Sequence, residues 1–255
     1  VRPRLTATTV CVSDTGSVRA RNEDRFFAGP HFFGVADGMG GHTLGDVAAQ
    51  YAVDMLGGAL GDLERASGEA EEEAVISAAL ARAATSITEH VDGEFLNTQT
   101  LVAGIGPTAG TTVAGVYLGR APLIFHVGDS RVYRYRDGDL RRLTRDHSLV
   151  QEMVDVGQIT DAEAHVHPQK NIITRAVGTY GPPEVDFSPA MLAEGDFVLC
   201  CTDGLHDELT DYEIAMILLK AVNMDEAVHL LRDEALAAGG HDNVTIVLAH
   251  MGYEH

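Results

Sequence analysis

The stretch Phe33-Gly34-Val35-Ala36-Asp37-Gly38-Met39-Gly40-Gly41-His42 carries an apolar run, long enough for a buried strand, that stops abruptly at an acid. Glycine fills four of the eight positions after Asp37, at 38, 40, 41 and 45. Such a backbone takes conformations closed to other residues and can come close to a ligand. Folding alone gives little reason to plant a carboxylate at a strand end beside so permissive a loop. Asp37 is therefore the position to which the other acids are related.

The same order recurs. Leu123 to Val127 runs into Gly128-Asp129-Ser130, and Phe197 to Thr202 runs into Asp203-Gly204. A fourth stretch reverses it: Gly239-Gly240-His241-Asp242-Asn243 opens onto Val244 to Ala249. A single Asp-Gly is a common turn, but four acids in one strand context ask for another reason. In antiparallel sheets the end of one strand and the start of its neighbour share a rim. Carboxylates gathered there repel one another unless cations lie between them.

Carboxylates and water are the ligands of hard cations. With no Cys cluster and no HExxH, magnesium or manganese fits better than zinc. Two such ions would acidify a water into a nucleophile. A phosphate ester set before it would need its remaining charge neutralised, and Arg19 and Arg21 lie beside the acid pair Glu23-Asp24. The planar guanidinium fork matches phosphate oxygens. His165 and His167 offer too few ligands for zinc.

Composition bounds the reading. The chain has 255 residues, 45% of them hydrophobic, and a formal charge of −20. That size suits one large mixed domain. The acidity disfavours nucleic acid and anionic membrane surfaces as partners. No apolar run approaches the roughly 20 residues that cross a bilayer. Val1-Arg2-Pro3-Arg4 lacks a signal-peptide layout, so a cytoplasmic protein is expected. Of three cysteines, Cys200 and Cys201 are adjacent in an apolar run and would face opposite sides of a strand, as core residues rather than a disulfide.

Periodicity predicts strands at 8–13, 111–118, 122–127, 132–136, 139–143, 197–202 and 244–250, with tight hairpins at Gly119-Arg120 and Asp137-Gly138. Helices are expected at 46–56, about 70–91, 148–156, 211–222 and 225–238. Residues 97–110 read as a Gly/Thr-rich connection and 157–172 as polar and irregular. Hairpin-joined strands with paired helices indicate an α+β fold with antiparallel sheets.

Read in order, Ser13-Asp14-Thr15-Gly16, Arg19 with Asn22-Glu23-Asp24, Val35 to His42, Gly110-Thr111-Thr112, Val127-Gly128-Asp129-Ser130-Arg131, Leu143 to Ser148, Thr174-Arg175-Ala176-Val177-Gly178, Thr202-Asp203-Gly204-Leu205 and Gly240-His241-Asp242-Asn243 resemble the motif series of PP2C-type (PPM) serine/threonine phosphatases in their bacterial form. The resemblance covers nearly the whole chain. It implies a single catalytic domain over 1–255, an α-β-β-α sandwich of two antiparallel sheets flanked by helix pairs. A centre of two Mn²⁺ or Mg²⁺ ions, with a third, weaker site, would lie at one end.

By position, the resemblance makes Asp37 the bridge between both metals, with the Gly38 carbonyl on one and Asp203 and Asp242 completing the other. Asp129 would help hold the third with Asp203, and Asp207 is a further candidate. Arg19 takes the phosphate-binding place, and Asp24 orients water from behind the metals, with Glu23 a weaker candidate for that role. Residues 148–172 would be a flap beside the cleft. The eukaryotic pattern has a histidine directly after the Asp-Gly, proposed there as general acid, where this chain has Met39. His42 is one candidate for that proton and a metal-bound water is another. The implied partners are phosphorylated Ser/Thr proteins and a cognate Ser/Thr kinase, with the chain a monomer. Two rivals stand beside this reading. One is hydrolysis of a non-protein phosphate ester; the other is a non-catalytic binding domain, which retention of Asp37, Asp203 and Asp242 disfavours.

Overall fold

The computed structural model describes residues 4–40, 44–98, 109–179 and 181–254. Its strands are β1 (Leu5–Asp14), β2 (Arg25–Ala28), β3 (Phe32–Ala36), β4 (Gly38–Gly40), β5 (Ala109–Thr111), β6 (Val113–Leu118), β7 (Pro122–Val127), β8 (Arg131–Arg136), β9 (Asp139–Arg142), β10 (Asp186–Pro189), β11 (Phe197–Cys201) and β12 (Val244–Tyr253). The helices are α1 (Leu44–Gly58), α2 (Leu60–Arg65), α3 (Glu69–Thr98), α4 (Leu149–Asp155), α5 (Asp161–His165), α6 (Asp203–His206), α7 (Asp211–Lys220) and α8 (Met224–Ala238). Among the described residues no helix is long and apolar enough to cross a membrane.

Two five-stranded sheets form, ordered β1-β12-β11-β8-β9 and β10-β7-β6-β3-β2, and every paired strand in them is antiparallel. Side-chain alternation on the strands divides the apolar residues into three layers. Phe33 and Val35 point between the sheets against Val132, Cys200 and Val247. Phe32 and Ala36, on the opposite parity, pack under α1 and α3. Leu199, Cys201 and Ile246 cover the other outer face beneath α7 and α8. The expected sandwich is therefore present, and the cysteine pair is split between two layers, both thiols free.

The hairpin at Asp137-Gly138 has φ of 51° and 85° at its two central residues, the type I′ conformation that suits the twist of its strands. Other elements differ from expectation. β2, β4, β10, α2 and α6 are three to six residues long, too short to show a period. The segment read as irregular, 157–172, contains α5, closed by a capping box in which Thr160 and Glu163 bond each other's backbone. The helix expected at 148–156, α4, begins one residue later than expected because Ser148 is its cap. α3 runs on to Thr98, and of the predicted 97–110 connection, 99–108 lie outside the described residues.

Gly34 and Gly115 are paired across β3 and β6, and the ring tips of Phe27 and Phe125 lie over them. A Cβ on Gly34 would sit 2.4 Å from the Ala114 carbonyl oxygen and 2.7 Å from Phe27 Cζ. Since two of the clashing atoms are backbone, the neighbourhood has little room to yield. Gly34→Ala is expected to lower stability by about 1–3 kcal/mol, measured by urea unfolding. An unchanged midpoint would show that the strand pair can spread.

Candidate metal centre

β3 and β7 run in the same direction within one sheet, so Asp37 and Asp129 leave it at the same edge. In the other sheet β11 ends opposite the start of β12, which puts Asp203 beside Asp242. A cavity of about 490 Å³ opens at this rim, with Asp37, Gly38, Asp129, Asp203, Asp242 and Arg19 in its wall. The four strand-edge acids read from sequence thus meet at one place.

Close packing holds them there. A Cβ at Gly204 would fall 2.0 Å from the Asn243 carbonyl oxygen, so the Asp203-Gly204 turn lies flush against the Asp242-Asn243 loop. Gly38 is equally enclosed, its absent Cβ 2.0 Å from the Gly45 carbonyl oxygen and 2.6 Å from that of Glu23. Asp37 is tied through its backbone: its N–H donates to Thr112 Oγ1 at 3.1 Å, and its carbonyl accepts from the Thr112 N–H at 2.8 Å.

The electrostatics are those of acids lacking counter-charge. Burial pushes the Asp37 carboxyl well up, and the neighbouring Asp24, Asp203, Asp129 and Asp242 push it further. Asp203 is raised for the same reasons, burial first and then Asp129 and Asp242. Burial lifts Asp24 to about 6 against the opposing hydrogen bonds of Thr245 and Thr202, and Asp129 rises to about 7 through burial, Asp146 and Asp207. Asp203 Oδ1 and Asp24 Oδ1 are buried without a hydrogen-bond partner. An all-oxygen donor set with orphaned carboxylate atoms fits a hard divalent cation.

Arg19 reaches into the cavity, and its Nη2 donates to Asp242 Oδ2 at 2.5 Å. Arg21 lines the same wall. Asp24 is behind the rim, accepting from Thr202 Oγ1 at 2.9 Å. Asp207 is not in this cavity. It lines a second one, of about 590 Å³ under 148–172, which shares Asp129, and its carboxylate is held by Lys170 Nζ at 2.8 Å. Met39 lines the first cavity, and His42 lies outside the described residues.

Asn243 is a site residue whose task the sequence did not reveal. Its side-chain amide donates to the carbonyls of Thr15 and Arg21, and its Oδ1 accepts from the Glu23 N–H, each at 2.8 Å. One side chain thereby pins the loop that carries Arg19. A signal was present in an Asn directly after the acid and before a buried strand, a polar group that must find partners.

A compact group of potential ligands lies elsewhere: one atom each of His126, His147 and Asp186 fall within 4.8 Å of one another. It does not suit a cation. His147 Nδ1 accepts from the Gly128 N–H at 3.1 Å, so the ring's proton is on Nε2, facing Asp186. Arg175 already donates to Asp186 at 2.9 Å.

The acid rim makes a pH-dependent prediction. A carboxyl whose folded pKa is raised costs nothing below its ordinary value of 3.8 and its full penalty above the folded value, about 7 for Asp129. Buried His206, pushed well below its usual value first by burial and then by Arg131, contributes the opposite slope, so a difference is the useful readout. In excess chelator, Asp129→Asn should raise Tm above that of the parent chain at pH 8 and leave it unchanged at pH 3.5. A variant that melts lower than the parent at pH 8 would contradict a repulsive rim.

A profile described as Protein phosphatase 2C matches residues 17–238. The serine/threonine protein phosphatase PstP of Mycobacterium tuberculosis is 37% identical over 237 residues, covering 93% of this chain and 43% of that protein. This chain thus spans less than half the length of that relative. The serine/threonine phosphatase stp of Listeria monocytogenes is 34% identical over 245 residues, 92% of either chain. The crystal structure of the M. tuberculosis phosphatase PstP/Ppp superposes with a TM-score of 0.80 at 35% identity, over 98% of this chain and 100% of that one. A PstP catalytic domain in complex with two manganese ions gives 0.76 at 34% identity, over 97% and 99%. The motif order, the two sheets and these matches agree: the chain belongs to the protein phosphatase 2C family.

Proposed function

We propose that this chain is a Mn²⁺- or Mg²⁺-dependent protein phosphatase that hydrolyses phosphoserine and phosphothreonine directly, without a phosphoenzyme. The observation that carries the reading is the convergence of Asp37, Asp129, Asp203 and Asp242 on one cavity that also receives Arg19. Asp37, the Gly38 carbonyl, Asp203 and Asp242 would hold two ions, and Asp129 with Asp203, and Asp207 from the adjoining cavity, a third and weaker one. Bound there, the ions would acidify a water and neutralise charge on the phosphoryl group.

The chain's own residues do the rest. Arg19, tethered on a loop pinned by Asn243, offers a planar fork to phosphate oxygens; a bound phosphate would compete with its present partner Asp242. Asp24, buried behind the rim and fixed by Thr202, is placed to accept a proton or orient a water rather than to touch substrate. Among the described residues that line the cavity none is a histidine, and the proton for the leaving oxygen would come from His42, which lies outside the described residues, or from a metal-bound water. Phosphorylated proteins are the proposed substrates, supported by the names of the relatives, and a Ser/Thr kinase that makes such substrates is the proposed antagonist.

The test is hydrolysis of a phosphothreonine peptide with Mn²⁺, set against chelator and against Asp203→Asn, each expected to remove at least about 99% of the activity, as losing a metal's charge stabilisation would. Full turnover in chelator would sink the mechanism. A panel of phosphotyrosine peptides and nucleotides at equal concentration separates protein from small-ester hydrolysis. Arg19→Ala should raise KM more than it lowers kcat, because an arginine that binds phosphate alike in ground and transition states contributes uniform binding. A fall confined to kcat would reassign it.

A further inference from the structure

Two of the motifs, Leu143 to Ser148 and Thr174 to Gly178, take no part in the acid rim, yet the fold joins them directly behind it. His147 grips Gly128 by both of that residue's peptide groups. The His147 N–H donates to the Gly128 carbonyl at 2.9 Å, and the Gly128 N–H donates to the ring Nδ1 at 3.1 Å. Gly128 has a φ of 106°, and a Cβ there would meet Thr112 Cγ2 at 2.5 Å. A conformation so sparsely populated persists only where its surroundings define it.

The residue aimed by that conformation is Asp129. Beyond it, the Ser130 hydroxyl lies 2.6 Å from the Thr112 hydroxyl, which in turn receives the Asp37 N–H. The Gly128-Asp129-Ser130 turn is thus held on one side by the Asp37 strand and on the other by His147.

The same histidine joins both ends of 148–172. Its carbonyl accepts from the Thr174 N–H at 2.8 Å, Ser148 bridges to Ile173, and the Leu149 N–H donates to the Ile172 carbonyl at 2.8 Å. Its Nε2–H donates to Asp186 Oδ2 at 3.1 Å, Arg175 holds the other Asp186 oxygen at 2.9 Å, and the His126 ring stacks on it at 4.5 Å. The ring orientation is fixed from three directions.

We propose that His147 is a positioning residue that aims Asp129 at the cation-binding rim and couples that aim to the base of the 148–172 segment. The inference rests on the reading of Asp129 as a ligand of the third, weaker cation. The two nitrogens have separable tasks: Nδ1 defines Gly128, and Nε2 ties the ring to Asp186.

Those tasks can be separated by substitution. The side-chain oxygen of His147→Asn falls near Nδ1 and can accept the Gly128 N–H, whereas the amide of His147→Gln reaches toward Nε2 and leaves that N–H without an acceptor. In Mn²⁺ titrations followed by electron paramagnetic resonance, Asp129→Asn should abolish the weakest site. His147→Gln should weaken that site about tenfold, the effect of one lost buried hydrogen bond, and His147→Asn should bind as the parent does. Loss of the site in Asp129→Asn with equal affinities in the two His147 variants overturns this inference alone. An unchanged stoichiometry in Asp129→Asn overturns the Asp129 reading, and this inference with it. Should a variant fail to fold, nitrogen-15 spectra of the histidine-labelled parent still decide: His147 must carry its proton on Nε2, and a proton on Nδ1 overturns the proposal.

Discussion

Carboxylates buried within one another's fields are the constraint on which the rest of this molecule depends. Asp37 and Asp203 are each raised by burial and then by other acids of the same rim. No arrangement of sheets favours such a cluster for its own sake, so it must be held by what surrounds it. The three apolar layers do that: α1 and α3 on one sheet, α7 and α8 on the other, and the interface between the sheets fix the strand ends from all sides. The repulsion that costs stability would give the rim an affinity for cations, since each bound ion would relieve several unfavourable pairs at once.

Much of the rim is legible in sequence because its grammar is local. An apolar run ending in Asp-Gly, repeated with its mirror image at Asp242, places an acid at a strand edge without knowledge of the partner strand. The layer assignments of Cys200 and Cys201 are legible for the same reason, since alternation on a strand needs no tertiary information. What is hidden is whatever depends on packing across the chain. β4 has three residues and exists only because β5 pairs with it, and α6 is a single turn set by the fit of Gly204 against Asn243. Asp207 lies four residues after Asp203, near enough in sequence to seem part of one ligand set, yet its side chain opens into the neighbouring cavity. The capping box at Thr160 and Glu163 was readable, and an irregular reading of 157–172 overlooked it.

The two cavities share one lining residue, Asp129. Its carbonyl accepts from His206 Nε2 at 3.1 Å while its side chain belongs to the rim, so one residue faces both spaces. Lys170, from the far end of the 148–172 segment, already presents a positive charge to Asp207 in the second cavity. Charge balance on that side therefore comes in part from a side chain of the segment itself, whereas on the other side, among the described residues, Arg19 alone is ion-paired with one of the four acids.

This asymmetry separates the tip of the segment next to the cleft from its base. Residues 149–172 are tied to the rest of the fold through their base and through polar pairs such as Lys170 with Asp207, Arg145 with Asp155 and Arg142 with Gln151. Partly exposed pairs of this kind contribute little to stability. The base is different: Ser148, Ile173 and Thr174 converge on His147, whose partners are buried backbone groups of the Gly128 turn. A substitution at the tip of the segment is remote from those hydrogen bonds, whereas one at the base bears on the backbone that carries Asp129. Tip and base are thus divided within a single loop by where its hydrogen bonds lead.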